Sequence, residues 1–284
     1  MRLAITGTTG RVGRALADRL AAFHEVIELP RSRLDLGEDG CERVLETLDF
    51  DVLLNPAGLT SLEQCEDHPA LAQRVNADAP ARLAKACQGR PVLHFSTDYV
   101  FDGATPGLRH EDEPPSPLSV YGKTKAAGEA GVLAAGGTVF RVSWVFGPEK
   151  PAFPDQIVTK ALAGQDLAAV ADKYSLPCFT PDLCGWVAGW LAAGCPGGIF
   201  HACQGGEPVS WHRMALEIVT LLSQKGIAAS EVKALSMAEM TAFRAPRPRH
   251  TAMATDRMAA LLGKPPRDWR ETLREHVEAL LISR

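Results

Sequence analysis

The chain has 284 residues, of which 46% are hydrophobic and 23% charged, with a formal net charge of −4 at pH 7. That balance suits one large or two modest globular domains, and a small negative charge supplies no general attraction to nucleic acid or to an anionic membrane. The seven cysteines form no C-x-x-C pair and leave an odd count, and the eight histidines build no ligand cluster, so neither a disulfide framework nor a metal site is expected.

The first strand starts almost at Met1, which leaves no room for a leader, and no apolar run reaches the roughly 18 residues of a membrane span. The expected compartment is therefore the reducing cytoplasm. Residues 2–6 (R-L-A-I-T) predict a short buried strand. G-T-T-G-R-V-G follows (Gly7 to Gly13), with Val12, Leu16, Leu20 and Phe23 at helical spacing. Strand, glycine turn and helix in that order suit phosphate binding. Gly7 allows a tight turn, Gly10 lets backbone approach a pyrophosphate, Gly13 lets helix and sheet pack closely, and the helix N-terminus offers free N–H groups. A plain strand-to-helix turn is the other reading of this spacing. The second strand, H-E-V-I-E-L, ends at Leu29 and runs into P-R-S-R. Arg31 and Arg33 stand where an acidic residue would bond a ribose 2′-hydroxyl and an arginine would accept a 2′-phosphate. They point to NADPH, with NADH as the alternative, unless both are solvated loop arginines.

An amphipathic helix around Val44, Leu45 and Leu48 comes next, then the strand D-V-L-L-N-P-A-G (Asp51 to Gly58). A helical region broken by Pro69 and Pro80 leads to the strand P-V-L-H-F before Ser96. This alternation predicts an α/β fold: a Rossmann-like doubly wound parallel sheet, with ligands beyond the carboxyl ends of its strands. Gly7, Ala57-Gly58, Ser96-Thr97 and Ser143-Trp144 all fall at such ends. After Gly147 the run P-E-K-P-A-F-P breaks the pattern. A helix from Asp182 is expected to be capped by Thr180, with Pro181 in its first turn. The strand G-I-F-H-A (Gly198 to Ala202) should rejoin the sheet, and Ser210 should cap a further helix. The basic run R-A-P-R-P-R-H (Arg244 to His250) would hold an anionic group or stay solvated, and Asp268 to Leu281 reads as a closing amphipathic helix. The expected division is a dinucleotide-binding domain of residues 1-148, rejoined by 180-204, and a smaller, mixed C-terminal substrate domain of 149-179 and 205-284.

The stretch from Ser96 to Lys125 carries the chemistry. S-T-D-Y-V-F-D-G (Ser96 to Gly103) places a hydroxyl pair at the end of a strand, and Y-G-K-T-K (Tyr121 to Lys125) opens a helix. Residues at i and i+4 share a helical face, so the Lys125 ammonium can sit beside the Tyr121 phenol. A fixed cation favours the ionised phenol, whose unperturbed pKa is about 10. Such a phenol could pass a proton to a carbonyl oxygen held by the Thr97 hydroxyl, which describes a ketone-reducing site if hydride is supplied. Taken alone, Tyr121 and Lys125 read equally as a surface pair; the strand-end hydroxyls and the glycine-rich start give them their meaning.

These segments, with N-P-A-G-L-T (Asn55 to Thr60), R-V-N-A-D-A-P (Arg74 to Pro80), R-V-S-W-V-F-G (Arg141 to Gly147) and D-W-R-E-T-L, resemble the extended short-chain dehydrogenase/reductases. Within them the chain is most similar to the dTDP-4-dehydrorhamnose reductases. The resemblance implies that Thr97, Tyr121 and Lys125 are catalytic, that Tyr121 protonates a C4 oxygen as NADPH delivers hydride, and that Lys125 also bonds the nicotinamide ribose. It implies that Gly10, Arg11 and Val12 lie along the pyrophosphate, that Asp35 and Leu36 flank the adenine, and that Ala57, Gly58 and Thr60 line the rest of the cofactor site. Asp98, Trp144 and Arg247 match substrate contacts for a nucleotide sugar.

The related sugar-nucleotide 4,6-dehydratases carry T-D-E where Tyr99 follows Asp98 here, which disfavours dehydration. Three departures fall in the substrate half. The family's D-Q-x-G-x-P-T appears as D-K-Y-S-L-P-C (Asp172 to Cys178), its asparagine-phenylalanine pair as Ala152-Phe153, and its R-R-P-x-N as P-R-P-R-H. They leave the sugar nucleotide open, so a reductase of another 4-keto sugar fits too. The regulatory β subunit of methionine adenosyltransferase is also similar, an NADP-binding protein that serves a partner enzyme; its S-S-D-Y-V-F against S-T-D-Y-V-F here favours the reductase. A homodimer is compatible with either reading.

Overall fold

The structure, a computed structural model, describes residues 1–282. Its central sheet has six strands: β1 (Arg2–Thr6), β2 (Glu25–Leu29), β3 (Val52–Asn55), β4 (Val92–Thr97), β5 (Thr138–Val142) and β6 (Gly198–His201). Their spatial order is β2-β1-β3-β4-β5-β6, and every neighbouring pair is parallel. Parallel strands are covered on both faces, and Leu3, Ala4, Ile5, Leu53, Leu54, Leu93, Val139 and Phe140 accordingly have no exposed surface. The covering helices are α1 (Arg11–Leu20), α2 (Ala79–Ala86), α3 (Val120–Ala134) and α5 (Thr180–Ala192), with α4 (Phe153–Leu162), α6 (Trp211–Gln224) and α7 (Trp269–Ile282) lying elsewhere. Leu16 and Leu20 of α1 pack with Val187 and Trp190 of α5 on one face. Leu83 of α2 and Val132 of α3 pack on the other. The chain leaves β1 towards β2 and then returns to β3 on the opposite side, so the order reverses between β1 and β3. A ligand crevice opens beyond the carboxyl ends at that point.

A separate core forms from the C-terminal elements, where Ile157 and Val158 of α4 meet Ile218 and Leu222 of α6 and Leu273 and Val277 of α7. Short strand pairs complete this lobe: Leu167–Val170 runs parallel to Val232–Leu235, and Tyr174–Ser175 antiparallel to Val209–Ser210. Among the described residues no helix is long and apolar enough to cross a membrane.

Local structure departs from the sequence expectations at four places. Helix α1 stops at Leu20 because the chain must turn back to begin β2, and Phe23 lies beyond it, 82% exposed. The segment around Val44 and Leu45 is a 3₁₀-helix, Cys41–Thr47, and Leu48 beyond it is already extended. Pro80 does not break its helix. Proline has no N–H to return to the carbonyl four residues back, and the turn widens into a π-helix over Arg74–Asp78 before α2 continues. Thr180 is the first residue of α5 instead of its cap, since its hydroxyl donates to Glu149 Oε2 at 2.7 Å.

One buried ion pair ties α3 to the sheet. The Arg141 guanidinium on β5 donates from Nε and Nη2 to the two oxygens of Glu129 on α3, at 2.9 and 2.7 Å, and the side chains are 1% and 3% exposed. Its Nη1 lies 3.4 Å from His201 Nε2 on β6. Glu129→Ala leaves this guanidinium buried and uncompensated, and is expected to lower the unfolding free energy by about 3–5 kcal/mol. Glu129→Leu combined with Arg141→Met removes both charges and is expected to cost much less. Guanidinium chloride titrations of both variants check this, and equal losses would mean the charges are irrelevant to stability.

Candidate active site

The crevice beyond β1, β3 and β4 is a cleft of about 570 Å³. At its floor Gly7 takes a left-handed backbone (φ 58°), where a Cβ would sit 3.0 Å from Ala57. A Cβ on Gly13 would collide with the Gly7 carbonyl, so α1 approaches the sheet as closely as backbone permits. Gly10 is the N-cap of α1; it offers no side-chain cap, and the first turn carries no acidic residue. The helix therefore presents uncapped N–H groups and a positive dipole end to the cleft, which is what a pyrophosphate requires. Arg11 borders the cleft, but its guanidinium turns towards the following loop and donates to the carbonyls of Lys150 and, at 2.9 Å, Pro151. Burial holds the pKa of that guanidinium below its usual value.

Arg31, Asp35 and Leu36 line the far end. Arg31 Nε donates to Asp35 Oδ2 at 2.9 Å, which leaves both Nη groups available to a phosphate. Arg33 lines no part of the cleft: its Nη1 donates to the Glu28 carbonyl at 3.2 Å on the exposed side of the loop. Ala57, Gly58 and Thr60 form the near wall. That loop is held by Asn76, a residue sequence reasoning assigned no role. Its Oδ1 accepts from Leu59 N at 2.8 Å and its Nδ2 donates to Leu59 O at 2.9 Å. Asn76 falls in the R-V-N-A-D-A-P segment that carried the resemblance, and the structure puts it in a π-turn, a feature that often occurs at functional sites.

Thr97, Tyr121 and Lys125 come together at the mouth of β4 and the start of α3. Ser119 caps α3 by accepting from Gly122 N at 3.1 Å, and Glu66 Oε1 accepts from Val120 N at 2.9 Å, which sets the helix end against the cleft. The expected contact between the Tyr121 phenol and the Lys125 ammonium is replaced by another. Lys125 Nζ donates to Phe95 O at 2.6 Å and lies 3.0 Å from His94 Nε2, beneath the helix. The Tyr121 phenol is accordingly shifted upwards, by burial, with the Thr97 hydroxyl pulling against that shift. Lys125, 4% exposed, is pushed down to about 8 by burial, against the opposing pull of Glu129 and Cys65. At neutral pH the phenol thus keeps its proton, and the lysine is mostly an ammonium.

Asp98 also lines the cleft; it is 1% exposed and accepts from Thr97 Oγ1 at 3.2 Å, Ser175 Oγ at 3.1 Å and Thr251 Oγ1. Lys173, with no exposed surface, donates to Pro248 O at 2.8 Å and stands 4.6 Å from the Tyr99 ring. Its pKa is lowered to about 8 by burial, with Asp98 pulling it up. Sequence reasoning saw Lys173 only as a departure from a family pattern. Trp144 has a left-handed backbone (φ 42°), and its indole Nε1 is buried with no partner, as is the Ser96 hydroxyl. Both residues line the cleft, and unpaired buried donors there suit a polar ligand. Arg247 does not line the cleft. Its Nη2 bonds Glu63 Oε1 at 2.8 Å, and the guanidinium stacks 3.8 Å from the Phe243 ring centroid. The arginines of the basic run pair with carboxylates, Arg244 with Asp67 at 2.8 Å and Arg249 with Asp172 at 3.5 Å, and both of these side chains stay exposed to solvent.

The family described as RmlD substrate binding domain matches residues 1–282. A dTDP-4-dehydrorhamnose reductase of Mycolicibacterium smegmatis is 35% identical, over 99% of this chain and 86% of its own. The crystal structure of a dTDP-4-dehydrorhamnose reductase of Clostridium acetobutylicum is similar with a TM-score of 0.89 and 29% identity, covering 99% of this chain and 100% of that one. That of a dTDP-4-dehydrorhamnose reductase of Bacillus anthracis in complex with NADP superposes with a TM-score of 0.87 and 25% identity, covering 98% of both chains. With a match that runs through both lobes, this chain belongs to the RmlD substrate-binding domain family.

Proposed function

We propose that this protein uses NADPH to reduce the 4-keto group of a nucleotide-linked 6-deoxyhexose, dTDP-4-dehydrorhamnose giving dTDP-rhamnose. The observation that carries the reading is a single cleft with an uncapped helix N-terminus at one end and a buried, protonated phenol beside a strand-end hydroxyl at the other. The names of the relatives point the same way. Residues 1-148 with 180-204 form the cofactor-binding part, and 149-179 with 205-284 the substrate part.

The cradle fits the cofactor. The N–H groups at Gly10 to Val12 would hold the pyrophosphate, the free Nη groups of Arg31 a 2′-phosphate, and the third Lys125 N–H the ribose. Bound there, NADPH supplies the hydride that reduces the ketone carbon. The protein's own work is on the oxygen. Thr97 Oγ, which accepts from Tyr99 N at 3.2 Å, is fixed at the end of β4 and can turn its proton from Asp98 to the substrate oxygen. Tyr121 holds its proton at neutral pH and gives it to that oxygen as negative charge develops there. The Lys125 ammonium, on the same face of α3, favours the phenolate left behind, which regains its proton from water after the alcohol leaves. Asp98 and Trp144 would position the sugar, and Arg247 the diphosphate once it exchanges Glu63 for the ligand.

Three outcomes are expected. NADPH should bind more tightly than NADH, and Arg31→Ala should narrow the gap by roughly 10-fold, the loss of one charge-assisted contact; titration of both cofactors measures this, and equal affinity in the wild type would overturn it. Tyr121→Phe should retain fold and NADPH affinity while kcat falls at least about 10²-fold; near wild-type turnover would remove Tyr121 from its role. Calorimetry of the NADPH-loaded protein should detect dTDP-rhamnose, and Arg247→Ala should weaken that binding about 10-fold with NADPH binding unchanged. No binding by the wild type would favour a regulatory subunit.

A further inference from the structure

Three polar side chains lie where a parallel sheet normally holds only apolar ones. Thr6 on β1, Asn55 on β3 and His94 on β4 are 0%, 1% and 0% exposed, and Asn55 and His94 face each other directly in the β3–β4 register. Uncompensated burial of such groups is unfavourable, and here they satisfy one another. Thr6 Oγ1 donates to Asn55 Oδ1 at 2.7 Å, Asn55 Nδ2 lies 3.1 Å from His94 Nδ1, and His94 Nε2 is 3.0 Å from Lys125 Nζ. At the other end Ala57 N, in the wall of the cleft, donates to Thr6 Oγ1 at 3.2 Å.

Counting protons along this chain gives two arrangements, one for each state of Lys125. A Lys125 ammonium has three N–H donors and no acceptor, so His94 Nε2 must accept from it and the neutral ring must carry its proton on Nδ1. The Asn55 amide then turns its oxygen to His94 and its NH₂ to Thr6, a half-turn that leaves every position in place. An uncharged Lys125 amine reverses this: the ring proton sits on Nε2, and Asn55 donates to Nδ1. The lysine's protonation state is therefore written into the orientation of buried groups on three strands.

We propose that His94 is a positioning residue for Lys125: in its Nδ1–H form it accepts one ammonium proton, fixes the second on Phe95 O, and leaves the third aimed at the cleft. The inference deepens the reductase reading and rests on it for the role of that third proton. The groups facing Lys125 are Cys65 from the 62–67 helix, Glu129 from α3 and His94 from β4. Burial holds the His94 ring well below its ordinary pKa, so it serves as a neutral acceptor across the physiological range.

The test is a titration of Lys125 by ¹⁵N and ¹³C NMR in the cofactor-free full chain, with turnover measured in parallel. The wild-type midpoint should lie near pH 8. His94→Leu removes the acceptor that favours the cation, so the midpoint should fall by on the order of one pH unit, and the alkaline limb of kcat should move down with it. His94→Gln, whose amide oxygen can replace Nε2, should restore both. An unmoved midpoint in His94→Leu, or a glutamine variant that behaves like the leucine one, would show His94 to be packing alone. Should the leucine variant not fold, the ¹⁵N-histidine spectrum of the wild type decides: the ring must carry its proton on Nδ1 at pH 6–7, and an Nε2–H ring there would overturn the assignment. Absence of turnover by the wild type would count against the reductase reading only, since the titration needs no substrate.

Discussion

The burial of the Lys125 ammonium against the carboxyl end of β4 is the constraint on which the rest of the site depends. A lysine that is 4% exposed loses most of its hydration, and the depression of its pKa from 10.5 to about 8 corresponds to roughly 3 kcal/mol of disfavour for the charged form. Glu129 and Cys65 oppose that disfavour, and the sheet provides the hydrogen-bond partners, the Phe95 carbonyl and the His94 ring. Helix α3 is thereby fixed at its second turn to the sheet, and Tyr121, one turn before Lys125, is fixed with it. Glu66 at the start of the helix and Arg141 beside Glu129 further along hold the same helix from two other directions.

The backbone geometry around the cleft follows from the same closeness. Helix α1 reaches the sheet only because Gly13 has no Cβ, and α3 passes the π-turn at Asn76 only because Gly128 has none: a side chain there would collide with the Asn76 carbonyl. Pro80 cannot supply that carbonyl with the N–H an ordinary helix would give it. The widened turn thus serves two contacts, a close helix approach through its carbonyl and a pinned cofactor loop through its side chain.

Charge in the second half of the cleft is balanced internally. Asp98 is satisfied by three hydroxyls, Lys173 by one carbonyl and an aromatic face, and the arginines of the basic run by carboxylates. Under the proposed function, a diphosphate entering this region would compete with Glu63 for Arg247, so its binding would be an exchange of partners, not a capture by free cations.

Much of this was legible in the amino-acid order, because the relevant signals are local. Alternating apolar strands and helical periodicities, the Gly7–Gly10–Gly13 spacing, and Tyr121 four residues before Lys125 each depend on neighbours within one or two turns of chain. These established the parallel sheet, the direction of its crevice and the faces that meet there. Which atom each side chain binds was a different matter. The i and i+4 spacing of Tyr121 and Lys125 defines a shared face, yet the ammonium turned to His94, 31 residues away, because a buried cation seeks the acceptors the sheet offers. Arg247 found Glu63 at a separation of 184 residues, and Asn76 found Leu59 across a loop. His94 looked like any strand residue until the β3–β4 register set it opposite Asn55. Register and helix docking are decided by the summed burial of the whole fold, so they alone could turn a tyrosine, a lysine and a histidine into one connected site.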